Sequence, residues 1–175
     1  MKELILHIDI LQPESRAILS FCKMASISYM TRSYSVLKNE HKKSAELVKK
    51  NPSLTIPFME SEKICLSGAH TIMRYLCNTR CPKDNVLYPS DPVSRAKVDM
   101  MLDWHLTTAQ ICSKLVWSTW LGQNYGEYFS LLVTPQKLFP RDVHISLKMM
   151  NTDWLPKKMI GAGSLHLGDI ILFHE

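Results

Sequence analysis

Cysteine and histidine are the residues of this chain that could bind a metal or act as nucleophiles. Cys77 and Cys81 are one helical turn apart and His70 precedes them, a spacing that would allow a metal site. A structural zinc site requires four ligands, so the pattern favours a simpler interpretation, a helix end that carries two thiols. The number of cysteines is odd, no Cys-x-x-Cys pair occurs, and this usage suits a reducing compartment rather than a disulfide framework. The five positions are Cys22, Cys65, Cys77, Cys81 and Cys112.

The charge of the chain is mildly basic, with 21 Lys and Arg against 16 Asp and Glu and a net charge of +5. This surplus is typical of an ordinary solvated surface, and it would also attract anionic ligands. No basic stretch with interleaved aromatics occurs, so we expect no nucleic-acid partner. The apolar run 4–11 is interrupted by His7 and Asp9 and lacks a cleavage site, and no run is long enough to span a membrane. We therefore expect a soluble cytoplasmic protein with no membrane partner.

The elements that would position such residues begin with a β-α-β unit. Residues 4–8 are short and apolar and predict a buried strand. Residues 12–15 break the pattern, residues 16–22 are good helix formers, and residues 29–34 alternate and predict a second strand. The unit favours parallel pairing of its two strands.

The next elements complete an α/β domain. Residues 41–50 predict one short, loosely held helix, which ends at Asn51-Pro52. Residues 56–59 and 64–66 predict a hairpin, and residues 69–79 predict a helix. The resulting order is β-α-β-α-β-β-α, in a mixed sheet of four strands with helices on both faces.

The rest of the chain predicts helices. Asp91-Pro92 is a helix start, and residues 93–117 contain no Gly or Pro and predict one long helix. Its apolar stripe of Met and Trp is more typical of a core than of a ligand pocket. Thr134-Pro135 and Asp142 are alternative starts for the next helix, which would turn Val143, Leu147, Met150 and Trp154 to one face. The predicted stripe of the long helix comprises Met100, Met101, Trp104, Thr108, Ile111 and Leu115.

The last predicted helix, from Asp169 to the chain end at Glu175, stops while still apolar, so we expect a C-terminally shortened chain. Gly168, in the capping segment 163–169, should weaken that helix start by about 1 kcal/mol relative to Ala. The expected organisation is an α/β domain at 1–81, a linker at 82–90 and an incomplete helical domain at 91–175.

These elements and several motifs resemble a known family. The β-α-β-α-β-β-α order, Asn51-Pro52 followed by Ile56-Pro57, and the ungapped run 66–76 resemble the thioredoxin-like domain of cytosolic glutathione transferases. Tyr88-Pro89 and the runs 95–99 and 103–105 are similar to theta members of plants and animals. The resemblance covers essentially the whole chain, is most specific before Gln110, and is looser from Ser118 to Met150. It implies an α/β thioredoxin-like N-terminal domain followed by an incomplete all-α C-terminal domain.

The resemblance also implies where a glutathione thiolate would be activated. In theta-like enzymes a Ser after the first strand donates a hydrogen bond to the sulfur, near a helix N-terminus. Anchored on Asp9 and Arg16-Ala17, that catalytic position holds Gln12, whose amide could substitute only by folding back. Ser15 matches a later Ser of the motif, where a first-turn helix residue is the preferred interpretation. Glu14 adds a negative charge that disfavours a thiolate.

The remaining glutathione contacts are likewise implied by the family. Gly68-Ala69 replace the Glu-Ser that holds the γ-glutamyl end, which leaves only backbone N–H groups there. Ile56-Pro57 match the segment, with a cis proline, whose backbone pairs with the cysteinyl amide. His41 and Lys42 match the glycyl end, although His41 alone fits a solvated helix end equally well. Thr55 replaces the Lys before Ile-Pro, and the electrophile pocket would border Trp104, His105 and Thr108.

The function implied is a theta-like glutathione transferase with weakened activity, acting on small hydrophobic electrophiles. Glutathione would be its co-substrate, with no further cofactor and no metal, and the family implies a homodimer and a role in detoxification. The substitutions at Gln12 and Gly68-Ala69 favour an alternative, a non-catalytic binding or scaffold protein that has lost the site. A chain from a decaying gene that never folds stably is a third interpretation.

Overall fold

The structure is a computed structural model that describes residues 4–111, 113, 139–154 and 164–175. The chain divides into two compact units, Met1–Arg95 with His174 and Ala96–Phe173 with Glu175. No helix in the described ranges is long and apolar enough to cross a membrane.

The first unit contains the predicted mixed sheet. Its strands are β1 (Ile5–Ile8), β2 (Met30–Ser33), β3 (Phe58–Glu60) and β4 (Cys65–Ser67), in the spatial order β2-β1-β3-β4. β1 and β2 are parallel, whereas β1 with β3 and β3 with β4 are antiparallel. The prediction that residues 4–8 and 56–59 share one sheet is confirmed.

Helices cover both faces of this sheet. Leu6 and Met59, paired across β1 and β3, are buried on the side where the helices after β1 and β4 pack together. The neighbouring pair, His7 and Phe58, lies on the other face, where Phe58 packs with Leu47. Side chains alternate between faces along a strand, so each strand separates the two layers.

The first helix, α1 (Pro13–Met24), begins three residues before the predicted start at Arg16. Pro13 occupies the first turn, where its missing N–H and preset φ are tolerated. The prediction that residues 12–15 only break the pattern was therefore wrong for Pro13 to Ser15. Ala17 and Phe21 of this helix are fully buried, whereas Met24 at its end is 51% exposed.

The predicted single helix at 41–50 is two short helices, α2 (Glu40–Lys43) and α3 (Ala45–Lys50). Ser44 between them has extended backbone angles, and its hydroxyl accepts a hydrogen bond from the Leu47 N–H at 3.3 Å. Ser is favoured at an N-cap because its hydroxyl accepts a hydrogen bond from a backbone N–H in the first turn of the helix. Capping by Ser44 starts a new helix there and so separates α3 from α2.

Helix α4 (Ala69–Arg80) ends with the thiols predicted there. Cys77 is buried on its last turn, and Cys81 is the C-cap residue that hydrogen-bonds with it. Burial raises the pKa of the nearby Cys22 thiol to about 12, and it also raises the pKa values of Cys77 and Cys81. These thiols are therefore protonated and unreactive at neutral pH. Within the described ranges, no group of three His, Cys, Asp or Glu could hold a metal ion.

Helix α5 (Pro92–Trp104) begins where predicted, with the Ser94 N–H donating to the Asp91 carboxylate at 2.8 Å. It continues into a wider π-helical turn at His105–Ala109. The apolar stripe is displaced from the prediction, because Met101 and Leu102 are buried while Met100 is 42% exposed. The predicted extension from 114 to Trp117 lies outside the described residues.

Two further helices follow in the second unit. Helix α6 (Phe139–Met149) leads into a π-helical turn at Met150–Trp154. The alternative start at Asp142 was wrong, because residues 139–141 are already helical, and Thr134-Pro135 lies outside the described residues. The predicted common face is only partly buried, since Leu147 is 61% exposed and Trp154 is 8% exposed. Helix α7 (Leu167–His174) completes the described chain.

Gly168 in the first turn of α7 has a steric role that its helix propensity does not suggest. A Cβ at this position would lie 2.7 Å from Met101 Cε and 3.0 Å from Met101 Cβ. The close approach of α7 to α5 thus favours a residue without a side chain, because a Cβ at this position would displace the Met101 side chain.

We expect Gly168→Ala to lower the free energy of unfolding by about 1–3 kcal/mol, because overpacking outweighs the gain in helix propensity. Urea denaturation measures this change. In a double-mutant cycle, Met101→Ala should cost less in the Gly168→Ala background than in the unmodified chain. A stabilising effect of Gly168→Ala would contradict the steric interpretation.

Candidate functional site

Asp9, the residue after β1, organises the loop in which the catalytic position was predicted. Its carboxylate accepts hydrogen bonds from the Leu11 N–H at 3.0 Å and the Val36 N–H at 2.8 Å. Its backbone N–H donates to Ser15 Oγ at 3.2 Å, and its carbonyl accepts from the Gln12 N–H at 3.0 Å. Asp9 is 4% exposed, so these bonds satisfy a buried carboxylate. The sequence signal for this role was a polar residue that ends an apolar strand.

Gln12 occupies the N-cap position of α1 with extended backbone angles. Its amide oxygen is buried and has no hydrogen-bond partner among the described residues. A carbonyl oxygen is an acceptor, so this end of the amide cannot stabilise an anionic sulfur as the family's hydroxyl does; only the amide N–H groups of Gln12 are donors. Arg16 holds the same loop by donating to the carbonyls of Ile10 and Leu11 at 3.0 and 2.9 Å.

Ser15 lies in the first turn of α1 and is fully buried. Its hydroxyl oxygen accepts the Asp9 N–H, so the residue ties the helix start to the end of β1. This arrangement matches the interpretation of Ser15 as a first-turn helix residue.

The Ile56-Pro57 peptide bond is cis, as predicted. Both residues are buried, and the Pro57 carbonyl accepts a hydrogen bond from the Gly68 N–H at 3.2 Å. The loop before β3 is thus held beside the start of α4. Two segments to which the family resemblance assigns glutathione contacts therefore lie next to each other.

Asn51 anchors that loop, a role that the sequence did not reveal. Its side-chain oxygen accepts from the Ser53 and Ser67 hydroxyls at 2.6 and 3.0 Å, and its amide donates to the Thr55 carbonyl at 2.8 Å. Asn51 is 1% exposed, and all these partners are brought together by tertiary structure or by the loop itself. Thr55 is exposed at the loop surface.

Gly68 and Ala69 form the start of α4. Gly68 is the N-cap residue of α4 and has φ +87°. Because it has no side chain, it makes no side-chain capping hydrogen bond to the helix. A Cβ at Gly68 would meet no atom within 4 Å, so the space is open although the backbone conformation disfavours other residues. Ala69 is 5% exposed. The unprotected N–H groups of a helix start can bind a carboxylate, which is the interaction that remains at this end.

His41 is 3% exposed in α2, so the interpretation as a solvated helix-end residue was wrong. Burial lowers the pKa of His41, Lys42 acts in the same direction, and the Asp9 carboxylate opposes both. His41 is therefore neutral at pH 7 and could donate or accept one hydrogen bond. Lys42 is exposed and available to a carboxylate.

The residues predicted for the electrophile pocket lie in the second unit. Trp104 packs edge-to-face on Trp154, with ring centroids 4.7 Å apart. His105 is fully buried, and its Nε2 lies 2.7 Å from a carboxylate oxygen of Glu175. Thr108 is half-buried in the π-helical turn.

The first unit therefore brings its predicted residues into two groups. Asp9 connects the loop of Gln12 and Ser15 with the segment that carries His41. The Asn51 cluster and the Pro57–Gly68 hydrogen bond connect Thr55, Ile56 and Pro57 with Gly68 and Ala69. The second group offers backbone groups and a helix start, whereas the hydroxyl of the first group, on Ser15, is fully buried and bound to the Asp9 N–H.

The chain is similar in sequence to theta-class glutathione transferases. It is 32% identical to "Glutathione S-transferase T3" of Arabidopsis thaliana over 175 residues, which cover 97% of this chain and 29% of that protein. It is 27% identical to "Glutathione S-transferase T1" of Arabidopsis thaliana, covering 100% of this chain and 72% of that protein. Mouse "Glutathione S-transferase theta-2" is 30% identical over 69% of this chain and 49% of that protein. The chain is thus similar to theta-class glutathione transferases over its whole length, although it spans only about a third of the first of these relatives.

Solved structures with the same fold come from the wider transferase family. Human glutathione transferase theta-2, solved in complex with glutathione and an unknown ligand, matches with a TM-score of 0.75 at 24% identity, over 98% of this chain and 70% of that chain. A silkworm transferase, BmGSTD1 of Bombyx mori, matches with a TM-score of 0.81 at 23% identity, over 98% and 75%. These matches show the thioredoxin-like and helical fold of this theta-like chain. No family model matches it.

Proposed function

We propose that this protein conjugates the thiolate of glutathione to small hydrophobic electrophiles, as a theta-like transferase with weakened activity. The observation that carries the proposal is the Pro57–Gly68 hydrogen bond, which holds the Ile56-Pro57 backbone beside the open start of α4. A peptide backbone could pair with Ile56 while its carboxylate binds the Ala69 N–H in the first turn of α4, because the Gly68 N–H already donates to the Pro57 carbonyl. The family of the chain supports glutathione as that peptide.

The proposed ligand contacts continue along α2 and the loop before β3. Exposed Lys42 would pair with the glycyl carboxylate, and neutral His41 and Thr55 would border it. The electrophile pocket would be lined by Trp104, His105 and Thr108. The Gln12 side chain would lie next to the sulfur of bound glutathione. Assembly as a homodimer, a cytoplasmic location and a role in detoxification follow from the family and belong to this proposal.

The weakness of the activity follows from the thiol end of the site. A free thiol titrates near pH 8.5, so a transferase must favour the thiolate. The buried Gln12 amide oxygen is an acceptor, and Glu14 adds negative charge in the first turn of α1. Both disfavour an anionic sulfur, and we expect bound glutathione to remain largely a thiol at neutral pH.

Calorimetry with glutathione, together with turnover of an activated aryl chloride, tests this proposal. We expect measurable binding, slow turnover, and a turnover rate that rises with pH as the thiol ionises. Lys42→Met should weaken binding about two- to fivefold, as expected for an exposed ion pair. Lys63→Met, an equally exposed lysine in the turn between β3 and β4, should leave binding unchanged. Binding without any turnover would refute the enzymatic proposal, and the absence of binding would refute both parts.

A further inference from the structure

His7 is a titratable residue buried beneath the α3 side of the sheet, away from the groups assigned to glutathione. It lies on β1 with 2% exposure. Its ring stacks on Tyr34 with centroids 5.7 Å apart and lies 5.3 Å from the ring of Phe58. Its Nδ1 is 3.1 Å from the Tyr34 hydroxyl. A neutral imidazole with its proton on Nε2 accepts the Tyr34 O–H at Nδ1.

Charged groups surround His7 on the strands and helix packed against it. Its Nε2 lies 3.4 Å from a carboxylate oxygen of Glu60 on β3, and Glu60 also pairs with Lys50 of α3. Lys50 in turn pairs with Glu46 at 2.8 Å, and Glu46 with Arg32 of β2 at 3.3 Å. The neutral His7 thus lies at the buried end of a network whose ion pairs begin at Glu60 and reach α3.

Short helices pack over Phe58 and Tyr34, the rings beside His7. Helix α3 has six residues, too few to be stable by itself, and α2 has four. Leu47, 1% exposed, packs α3 on Ile56 and Phe58, and Lys50 adds its ion pair with Glu60. A segment held in this way is expected to open locally without unfolding of the whole domain.

Protonation of His7 opposes this closed arrangement. Burial lowers the pKa of His7, and the Glu60 carboxylate offsets only part of that effect; Arg32 acts with burial and Glu46 against it. When the short helices open, the imidazole reaches water and its pKa returns toward the ordinary value. The open state therefore binds more protons than the closed state at mildly acidic pH, and acid shifts the balance toward opening.

We propose that His7 is a pH-sensitive latch, whose protonation opens the α2–α3 segment, residues 39–51. The segment carries His41 and Lys42, so opening would remove the glycyl end of the glutathione site. This consequence rests on the proposed function, whereas the latch itself does not. Acidification would then release glutathione without unfolding the sheet.

The expected size follows from proton linkage. An exposed histidine titrates near pH 6.5. If the closed state does not protonate His7 at all, the equilibrium constant for opening is up to about tenfold larger at about pH 5.5 than at about pH 7.5. His41 sits inside the segment, is itself buried and has a lowered pKa, so its contribution must be separated by a variant.

Hydrogen exchange measured by mass spectrometry tests the latch, with the unmodified chain, His7→Gln and His41→Gln compared at both pH values. Comparison at equal pH removes the intrinsic pH dependence of exchange. We expect protection of residues 39–51 to fall up to about tenfold in acid in the unmodified chain and in His41→Gln, and to change less than about twofold in His7→Gln. Equal acid responses in all three proteins would overturn the proposal.

Side-chain NMR of the histidines gives a measurement that does not depend on the folding of a variant. The His7 imidazole should stay neutral while residues 39–51 are closed, and its signal should titrate only at pH values at which the open segment becomes populated. Titration of His7 while the segment stays protected would overturn the latch. Glutathione affinity is then measured at both pH values. If the segment opens but glutathione never binds, the latch stands and the proposed function fails.

Discussion

Installing Ser at position 12, Glu at position 68 and Ser at position 69 should raise glutathione conjugation at neutral pH and tighten glutathione binding. Gln12→Ser supplies a hydroxyl near the helix start, and a hydrogen bond to a charged group contributes about 1.5–3 kcal/mol. This corresponds to about one to two pKa units at the thiol, or about an eight- to twenty-fivefold larger thiolate fraction at about pH 7 for a thiol that titrates near pH 8.5. Gly68→Glu and Ala69→Ser add polar partners at the opposite end of the ligand, so the two effects should be roughly additive.

The structure adds a stability penalty to this graft. Gly68 has φ +87° and ψ +130°, a backbone conformation outside the left-handed α region that costs other residues about 1–3 kcal/mol, although the space for a side chain is open. Gly68→Ala is the matched control, because it introduces the same backbone strain without a carboxylate. Gln12→Ala likewise removes the amide without adding a hydroxyl. Neither control should gain activity.

Turnover of an activated aryl chloride, with urea denaturation of each variant, measures the outcome. Full activity of the unmodified chain would mean that the active-site loop has been aligned wrongly. A triple variant that folds but gains nothing would show that these side chains are not what limits the reaction.

Replacing Asp9 by Ala should be among the most destabilising single changes in the first unit. The substitution leaves the N–H groups of Leu11 and Val36 without their charged acceptor, and each such bond contributes about 1.5–3 kcal/mol. Since Leu11 is exposed and water can replace part of its bond, we expect a total loss of about 3 kcal/mol. Glutathione binding should also weaken, because Asp9 joins the loop of Gln12 to the segment that leads to α2.

Asp9→Asn keeps one acceptor oxygen and should have an intermediate effect. It should also lower the pKa of His41 further, because the Asp9 carboxylate opposes the effect of burial there. Asp91→Ala is the matched control: it removes an exposed helix cap and should cost about 1 kcal/mol. Urea denaturation and a histidine NMR titration check these values. If Asp9→Ala cost no more than Asp91→Ala, Asp9 would not have the organising role inferred here.

Several features were predictable from the sequence because residues close together in the chain determine them. The strand and helix order followed from local hydrophobic spacing, and the start of α5 followed from Asp91-Pro92. The cis Ile56-Pro57 bond was predicted from the family motif, and the structure confirms it. The substitutions of the family's site residues at Gln12 and Gly68-Ala69 were also predictable, because a comparison with the family motif shows the residue type at each position.

Other features depended on contacts between residues far apart in the chain. The burial of His41, the role of Asn51 and the pairing of His7 with Glu60 all require segments that only the folded sheet brings together. Gly168 shows the difference most clearly: its helix propensity suggests a weak point, but the Met101 side chain leaves no room for a Cβ. Local propensities differ by about 1 kcal/mol or less, so a steric contact or a buried charge in the folded protein readily outweighs them.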